Sequence, residues 1–223
     1  AATLPSDEQA HVLVKQVVRL AHDERAPPVS QLLRALDPAL AALRRRGDID
    51  AARRLLSDIE PLCSIDGQPD ARLLAYVARG KHACGLLDDA NHLLQQSLAA
   101  ALANRVDHLT RFEGACAVLD AARGFSLATR LALCSQLASS WRALKDTFTA
   151  RAYWPTHQLL VLERMVDILA DNQVEAGDQL QHFLEREEHA TRMHILNETF
   201  AARATAADAA PPTDLGADHV DPG

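Results

Sequence analysis

Three side chains with metal-binding chemistry lie on one predicted helix in the last fifth of the chain. His182, Glu185 and His189 are spaced i, i+3 and i+7, so a helix places all three on one face. Zinc would still need a fourth ligand or an open water position. The charged residues around them favour a solvated polar stripe, and we predict no metal and no cofactor.

No catalytic motif is found elsewhere in the sequence. Gly85 and Gly124 are isolated and lack the Lys-Ser or Lys-Thr pair of a phosphate-binding loop, and no Gly-x-Ser-x-Gly nucleophile motif occurs. His82 and Cys84 are two residues apart and would point to different faces of a helix, which makes them a poor ligand pair. The sequence therefore predicts that the protein is not an enzyme.

Charge indicates what kind of partner to expect. The formal net charge is −7, whereas a protein that binds nucleic acid through its phosphates needs a clustered basic surface. The single basic run, Arg44 to Arg46, falls in the last turn of a predicted helix, where it complements the negative end of the helix dipole. An acidic peptide or a phosphate docking on this run is the alternative. We expect a protein or peptide partner and no nucleic acid.

Composition favours an all-α class. Of the 223 residues, 48% are hydrophobic and only 4% are aromatic, and Ala, Leu and Arg are abundant relative to β-branched residues. No apolar stretch is long enough to span a membrane. Four widely spaced cysteines form no Cys-x-x-Cys pair and lie among apolar residues, which predicts buried, reduced thiols in a cytoplasmic protein: Cys63, Cys84, Cys116 and Cys134.

Helix start and stop signals divide the chain into about nine helices. The predicted helices cover residues 6–27, 30–46, 48–63, 70–85, 88–104, 106–123, 126–145, 155–172 and 174–201. Pro38 is expected to kink or restart the second helix, and residues 64–69 are predicted to be a loop. We predict an N-terminal helix in residues 1–29, a helical-repeat domain in 30–201 (units about 30–64, 70–104, 106–145 and 155–201) and a disordered acidic tail in 202–223.

Internal repetition is the strongest pattern in the sequence. Three similar turns occupy residues 47–52, 85–90 and 124–129, and their glycines are 38 and 39 residues apart. Each Gly is expected to end one helix in a left-handed conformation, and the Ala of the next helix allows close packing. Leucines then fall at equivalent places in the second helices, namely Leu56, Leu94 and Leu133. Equal spacing predicts stacked copies of one helix-turn-helix unit.

At these residues the chain resembles the tetratricopeptide (TPR) superfamily. The matching residues are Leu74, Ala78, Gly85, Ala90 and Leu94, and less closely Leu40, Gly47, Ala52 and Leu56. The resemblance covers about residues 30–140. It departs from the family at Lys81, Asp120 and Thr129, and its period exceeds the family's roughly 34 residues. The resemblance implies an α-solenoid of antiparallel helix pairs that binds a peptide or protein on its concave face and has no catalytic activity; a HEAT-like helical array is the alternative.

Six residues are candidates for binding a partner. The resemblance implies a groove lined by first-helix residues, here Arg72, Tyr76 and Arg79, and the two arginines could hold a carboxylate-bearing peptide. The aromatic residues Trp141, Tyr153 and Trp154 cluster around a predicted turn, a composition typical of binding hot spots, although core packing is the favoured interpretation.

The sequence is compatible with three functions, and the first is the predicted one. The first is an interaction module, meaning a scaffold, an adaptor or an assembly chaperone. The second is a sensory or regulatory domain that binds a small ligand in a discrete pocket between helices. A metal-dependent helical enzyme is the third.

Overall fold

The computed structural model describes residues 29–65, 68–103, 107–142, 154–170 and 178–208, together with the helical positions Val12 and Lys15. Eight α-helices have described bounds, which confirms the predicted all-α class. They are α1 (Val29–Arg45), α2 (Ile49–Ile59), α3 (Ala71–Ala83), α4 (Leu87–Leu102), α5 (His108–Ala122), α6 (Leu127–Ser139), α7 (Trp154–Ala170) and α8 (Asp178–Asp208). None of the helices in the described ranges is long and apolar enough to cross a membrane. The predicted helix over 6–27 and the tail after residue 208 lie outside these ranges, apart from Val12 and Lys15.

Helix α1 does not restart at Pro38. The helix is continuous from Val29 to Arg45 with Pro38 inside it. Leu36, Ala39 and Leu40 are buried on both sides of the proline. Burial of this apolar face stabilises the helix and offsets the loss of the hydrogen bond that proline cannot donate.

Side-chain caps begin most of the helices that follow. Asp48, Asp70 and Ser126 accept hydrogen bonds from backbone N–H groups at the starts of α2, α3 and α6, as the sequence predicted. The start of α5 was misplaced at residue 106, because the cap is Asp107, whose carboxylate accepts from the N–H groups of Leu109 and Thr110. These two hydrogen bonds, and a third from the Thr110 hydroxyl that has the largest effect, lower the pKa of Asp107.

The three equivalent glycine turns are not identical. Gly47 and Gly85 have φ values of 73° and 79°, which confirms the predicted left-handed conformation. Gly124 does not have a positive φ, so the prediction is wrong at this third turn. There the N–H of Phe125 donates to the carbonyl oxygen of Ala122 at 2.9 Å and the Phe125 side chain is buried, so this turn closes without a left-handed residue.

The segment predicted as a loop after α2 contains regular structure. A 3₁₀ turn covers Glu60–Cys63, and Ser64–Ile65 pairs with Gln68–Pro69 as two short antiparallel strands. Pro61 lacks an N–H group and cannot continue the α-helical hydrogen bonds, which explains why α2 ends at Ile59. The strand pair returns the chain to Asp70, whose N–H donates to the carbonyl oxygen of Cys63 at 2.7 Å.

The core lies where the helices pack side by side. Helix α3 packs on α4 and α5, α4 packs on α5, α5 packs on α7, and α7 packs on α8. The repeat-equivalent residues Leu56, Leu94 and Leu133 are all fully buried. Gly114 on α5 permits a close approach, because a Cβ atom there would lie 2.9 Å from the Cβ of Ala71 and 3.1 Å from that of Ala101.

Hydrogen bonds connect each glycine turn to the unit that follows. Six residues after Gly47, Arg53 donates from Nη2 to the carbonyl oxygen of Cys84 at 2.8 Å. Six residues after Gly124, Arg130 donates from Nη1 to the carbonyl oxygen of Ile168 at 2.6 Å. The equivalent residue after Gly85 is Asn91, whose Oδ1 accepts from the Thr129 hydroxyl at 3.2 Å. Arg53 and Arg130 therefore make the same kind of contact, a hydrogen bond to a backbone carbonyl, whereas Asn91 accepts one from a side chain.

Helix α8 is longer than the sequence indicated. It was expected to end at residue 201 but extends to Asp208. The Ala-rich stretch after Phe200 has high helix propensity and no Gly or Pro to stop it. Only the first part of α8 packs closely, with Leu184 and Thr191 buried, whereas every residue from 196 to 203 is exposed.

Candidate binding groove

A groove of about 480 Å³ lies over α5, between walls formed by α3 and α7. Its floor is supplied by α5, and each wall adds apolar and cationic side chains. The lining residues are Arg72, Ala75, Tyr76 and Arg79 from α3, Phe112, Glu113, Cys116, Ala117, Asp120 and Ala121 from α5, and Leu160 and Arg164 from α7. The groove is open to solvent, and Leu160 is 37% exposed at its edge.

Arg72 connects the first wall to the floor. Its Nη1 forms an ion pair with Glu113 of α5, and its Nη2 donates to Oδ2 of Asp70 at 3.1 Å. Asp70 is the N-cap of α3, so one buried carboxylate both starts the helix and orients this guanidinium. The arrangement fixes Arg72 at the groove edge, with 32% of its side chain exposed.

Tyr76 and Arg79 share a carboxylate on α1. The Tyr76 hydroxyl donates to Oδ1 of Asp37 at 2.6 Å, and Nη2 of Arg79 donates to the same oxygen at 3.3 Å. The Arg79 guanidinium also lies 5.2 Å from the centre of the Tyr76 ring, within cation–π range. Burial, and then the hydrogen bond to Asp37, raise the pKa of Tyr76, so the phenol is neutral and acts as a hydrogen-bond donor.

Arg164 occupies the opposite wall. Its Nε donates to Oδ1 of Asp120 at 3.2 Å, and its Nη1 lies 3.3 Å from Sγ of Cys116. Burial raises the pKa of Cys116 to about 11, although the nearby Arg164 charge acts in the other direction. The thiol is therefore protonated at neutral pH and is not an activated nucleophile.

The other cysteines are also buried thiols. All four are free and buried, as the sequence predicted. Burial raises the pKa values of Cys63 and Cys134 to about 12. These thiols pack as apolar residues and offer no reactive thiolate.

Trp141, the member of the predicted aromatic cluster whose side chain the structure describes, does not line this groove. Trp141 is buried, its Nε1 donates to Oε2 of Glu187 at 3.1 Å, and it meets the ring of Phe183 edge-on at 6.1 Å. Trp141 thus belongs to the packing between the region after α6 and helix α8. Tyr153 and the side chain of Trp154 lie outside the described part of the chain.

The structure does not assemble the candidate metal ligands into a site. His182 Nδ1 and Glu185 Oε2 are 3.9 Å apart on an exposed face of α8, and His189 is exposed as well. Within the described ranges, no three His, Cys, Asp or Glu side chains are placed to hold a metal ion. His82 packs against the ring of Phe125, with centroids 4.3 Å apart.

Nine lining residues were not predicted from the sequence, and five of them carry a charge or a large apolar side chain: Phe112, Glu113, Asp120, Leu160 and Arg164. The sequence does contain a signal for the charged ones, namely pairs of oppositely charged residues separated by about one repeat length. The pairs are Asp37 with Arg79, Arg72 with Glu113, and Asp120 with Arg164, and their partners are 42, 41 and 44 residues apart. Asp120 had been noted only as a departure from the family pattern, and its partner Arg164 explains that departure.

Lys81, the other charged departure, is buried among the helices. Its Nζ forms an ion pair with Glu60 and lies 3.6 Å from Oδ2 of Asp89. A charged residue is tolerated at this position because two carboxylates from neighbouring elements balance it.

Comparison with protein-family models, with curated proteins and with solved structures finds no match to this chain. The structure itself therefore defines the class, which is an all-α protein with an open groove across three of its helices.

Proposed function

We propose that this protein is an interaction module that binds a peptide segment of another protein in the α3–α5–α7 groove. The observation that carries the proposal is the groove itself. Phe112, Ala117 and Leu160 provide an apolar surface that water reaches, while arginines stand on both walls. An accessible apolar surface with a charged rim is the composition expected of a protein-binding site.

The repeated architecture supports this proposal. We propose that the helices form a TPR-like solenoid of antiparallel pairs, because Arg53 and Arg130 at one repeat position each donate to a backbone carbonyl of the following unit. Such arrays present an extended surface formed by successive first helices. The groove uses α3, α5 and α7, which would be the first helices of consecutive units. We further propose a cytoplasmic location, since reduced buried thiols are typical of reducing compartments.

A small-ligand sensor is the second candidate. The volume of about 480 Å³ falls within the range of small-molecule sites, which runs from roughly 300 to 1,000 Å³. Those sites usually enclose most of their ligand, whereas this groove opens to solvent along one side. The open form favours a polymer that continues beyond both ends of the groove.

A pull-down with a matched pair of variants tests the proposal. The tagged full chain is incubated with lysate of its native host, and bound proteins are quantified by mass spectrometry. Leu160→Lys places a charge in the groove, whereas Leu109→Lys changes a leucine that is 45% exposed but lies outside it. We expect a stoichiometric protein that is lost with Leu160→Lys and kept with Leu109→Lys.

Two other results would change the proposal. Equal recovery with both variants would exclude the groove as the binding surface. A small molecule that co-purifies with the native chain and is displaced by Leu160→Lys would instead establish the sensor function. Arg79→Ala is a better probe of the predicted arginine pair than Arg72→Ala, because Arg72 also bonds the N-cap of α3.

A further inference from the structure

We propose that the occupant of the groove is an acidic segment whose carboxylates are bound from both walls, by Arg72 and Arg79 on α3 and by Arg164 on α7. This inference rests on the proposed function and specifies the chemistry of the partner. It adds Arg164, which lies across the floor from the two arginines that the sequence indicated.

The internal ion pairs orient these arginines without using all of their N–H groups. Arg164 uses Nε and Nη1, and its Nη2 has no acceptor among the described residues. Arg79 uses Nη2 for one long hydrogen bond to Asp37, and half of its side chain is exposed. Arg72 makes one hydrogen bond from each terminal nitrogen, so each keeps a second N–H, and 32% of its side chain is exposed. Guanidinium groups that are already oriented lose less entropy when they bind a carboxylate.

The charge of the lining favours an acidic occupant over a basic one. Three arginines line the groove, and the two acids that line it, Glu113 and Asp120, are already paired with Arg72 and Arg164. A lysine of a partner would have to compete with guanidinium groups for these carboxylates. A carboxylate of a partner would instead meet unused N–H donors, which form strong charge-assisted hydrogen bonds.

The geometry also predicts the spacing of the acidic residues. Arg72 and Arg79 are seven residues apart on α3, which is about 10 Å along a helix. An extended peptide covers that distance in about three residues. Between the arginines, Ala75 and Tyr76 line the groove, whose floor includes the apolar Ala117. The expected occupant is therefore an extended segment with two acidic residues about three positions apart and an apolar residue between them.

Selection from a random peptide library tests this inference on the full chain. A display library of 12-residue peptides is selected on the native protein and counter-selected on Leu160→Asn, which removes an apolar groove contact without adding a charge, so that only sequences that need the groove remain. We expect Asp and Glu to be enriched over Lys and Arg in those sequences. Synthetic copies should bind about threefold to tenfold more weakly to Arg164→Gln and to Arg79→Gln, as expected for exposed ion pairs.

Arg54→Gln is the control variant, because Arg54 is exposed on α2 and does not line the groove. Binding of the selected peptides should be unchanged by it. Arg79→Gln keeps the test valid if Arg164→Gln does not fold, since Arg79 makes only one long hydrogen bond in addition to its contact with Tyr76.

The possible outcomes separate this inference from the proposed function. Two results would overturn the acidic occupant and leave the groove proposal intact. One is a set of groove-dependent peptides that are neutral or basic. The other is a set of acidic peptides that bind both Gln variants as well as they bind the native chain. A library in which no peptide distinguishes the native chain from Leu160→Asn would count against both.

Discussion

Helices α3 and α5 have two faces that are built in different ways. Toward α4 they meet through small residues, where the Cα of Gly114 approaches Ala71 and Ala101 so closely that no Cβ fits. Toward the groove the same helices carry charged side chains such as Arg72 and Glu113, which are about one-third exposed and held by ion pairs. The interior face fixes the distance between helices, and the groove face leaves side chains accessible. Substitutions on the first should therefore change stability, and substitutions on the second should change binding.

The largest difference between the faces is expected from leucine truncation. Leu94 on α4 is fully buried, and Leu94→Ala should lower the free energy of unfolding by about 3 kcal/mol, because it removes packed methyl groups and leaves a cavity. Leu160→Ala in the groove should change it by about 0.5 kcal/mol or less. Urea unfolding followed by circular dichroism measures both. Similar losses for the two variants would show that the faces are not distinct.

A glycine comparison sharpens the account of the interior face. Gly114→Ala should lower the free energy of unfolding by about 2 kcal/mol, since the new methyl group would overlap two neighbouring Cβ atoms. The overlap should outweigh the gain of about 1 kcal/mol that replacing glycine with alanine normally brings to the stability of a helix. Gly124→Ala is the control, because a Cβ there has its nearest neighbour, in the His82 ring, at 3.7 Å. If Gly114→Ala proved stabilising, the close approach of α5 to α3 and α4 would be wrong.

Lys81 tests whether the interior depends on volume or on charge. Lys81→Met keeps most of the buried side-chain volume and should change the free energy of unfolding by less than about 1 kcal/mol. Its partners Glu60 and Asp89 are 39% and 64% exposed, so water can solvate them when the ammonium is removed. Lys81→Ala, which also removes volume, should be clearly less stable than Lys81→Met. A large loss for Lys81→Met would instead identify the ion pair as the stabilising contact.

The smallest predicted effect concerns pH at one end of the groove. His157 on α7 stacks on Phe112 with centroids 4.2 Å apart, and burial, together with the charge of His108, lowers the pKa of His157 below its ordinary value of 6.5. Because the folded state disfavours protonation, this residue's contribution to stability is full above pH 6.5 and decreases as the pH falls toward the lowered pKa.

Unfolding at pH 7.5 and at pH 5.5 measures this contribution. His157→Phe keeps a ring against Phe112 and should reduce the pH dependence, and His92→Phe, an exposed position on α4, should not. NMR titration of His157 giving a pKa above 6.5 would reverse the predicted sign.

Local signals in the sequence predicted the helices well. Asp48, Asp70 and Ser126 cap helices, and Gly47 and Gly85 end them, because these residues favour such positions through interactions within a few residues. The strand pair at Ser64–Pro69 and the different turn at Gly124 were not predicted. Both depend on contacts with the rest of the chain, such as the buried ring of Phe125.

The candidate site was predicted only in part for the same reason. The structure places Arg72, Tyr76 and Arg79 along one wall, where the repeat register had put them. Leu160 and Arg164 belong to α7, where the glycine turn of the first three units is not repeated, so no repeat register assigned them to the groove. Trp141, for which core packing was the favoured interpretation over a binding hot spot, is buried.

Photo-crosslinking from two positions tests the central claim, that partners bind in the α3–α5–α7 groove, most directly. A benzophenone amino acid replaces Leu160 in one sample of the full chain and Leu109 in another, and each is illuminated in lysate of the native host. We expect one protein to crosslink to position 160 and not to position 109. The same protein crosslinked equally from both positions, or from position 109 alone, would contradict it.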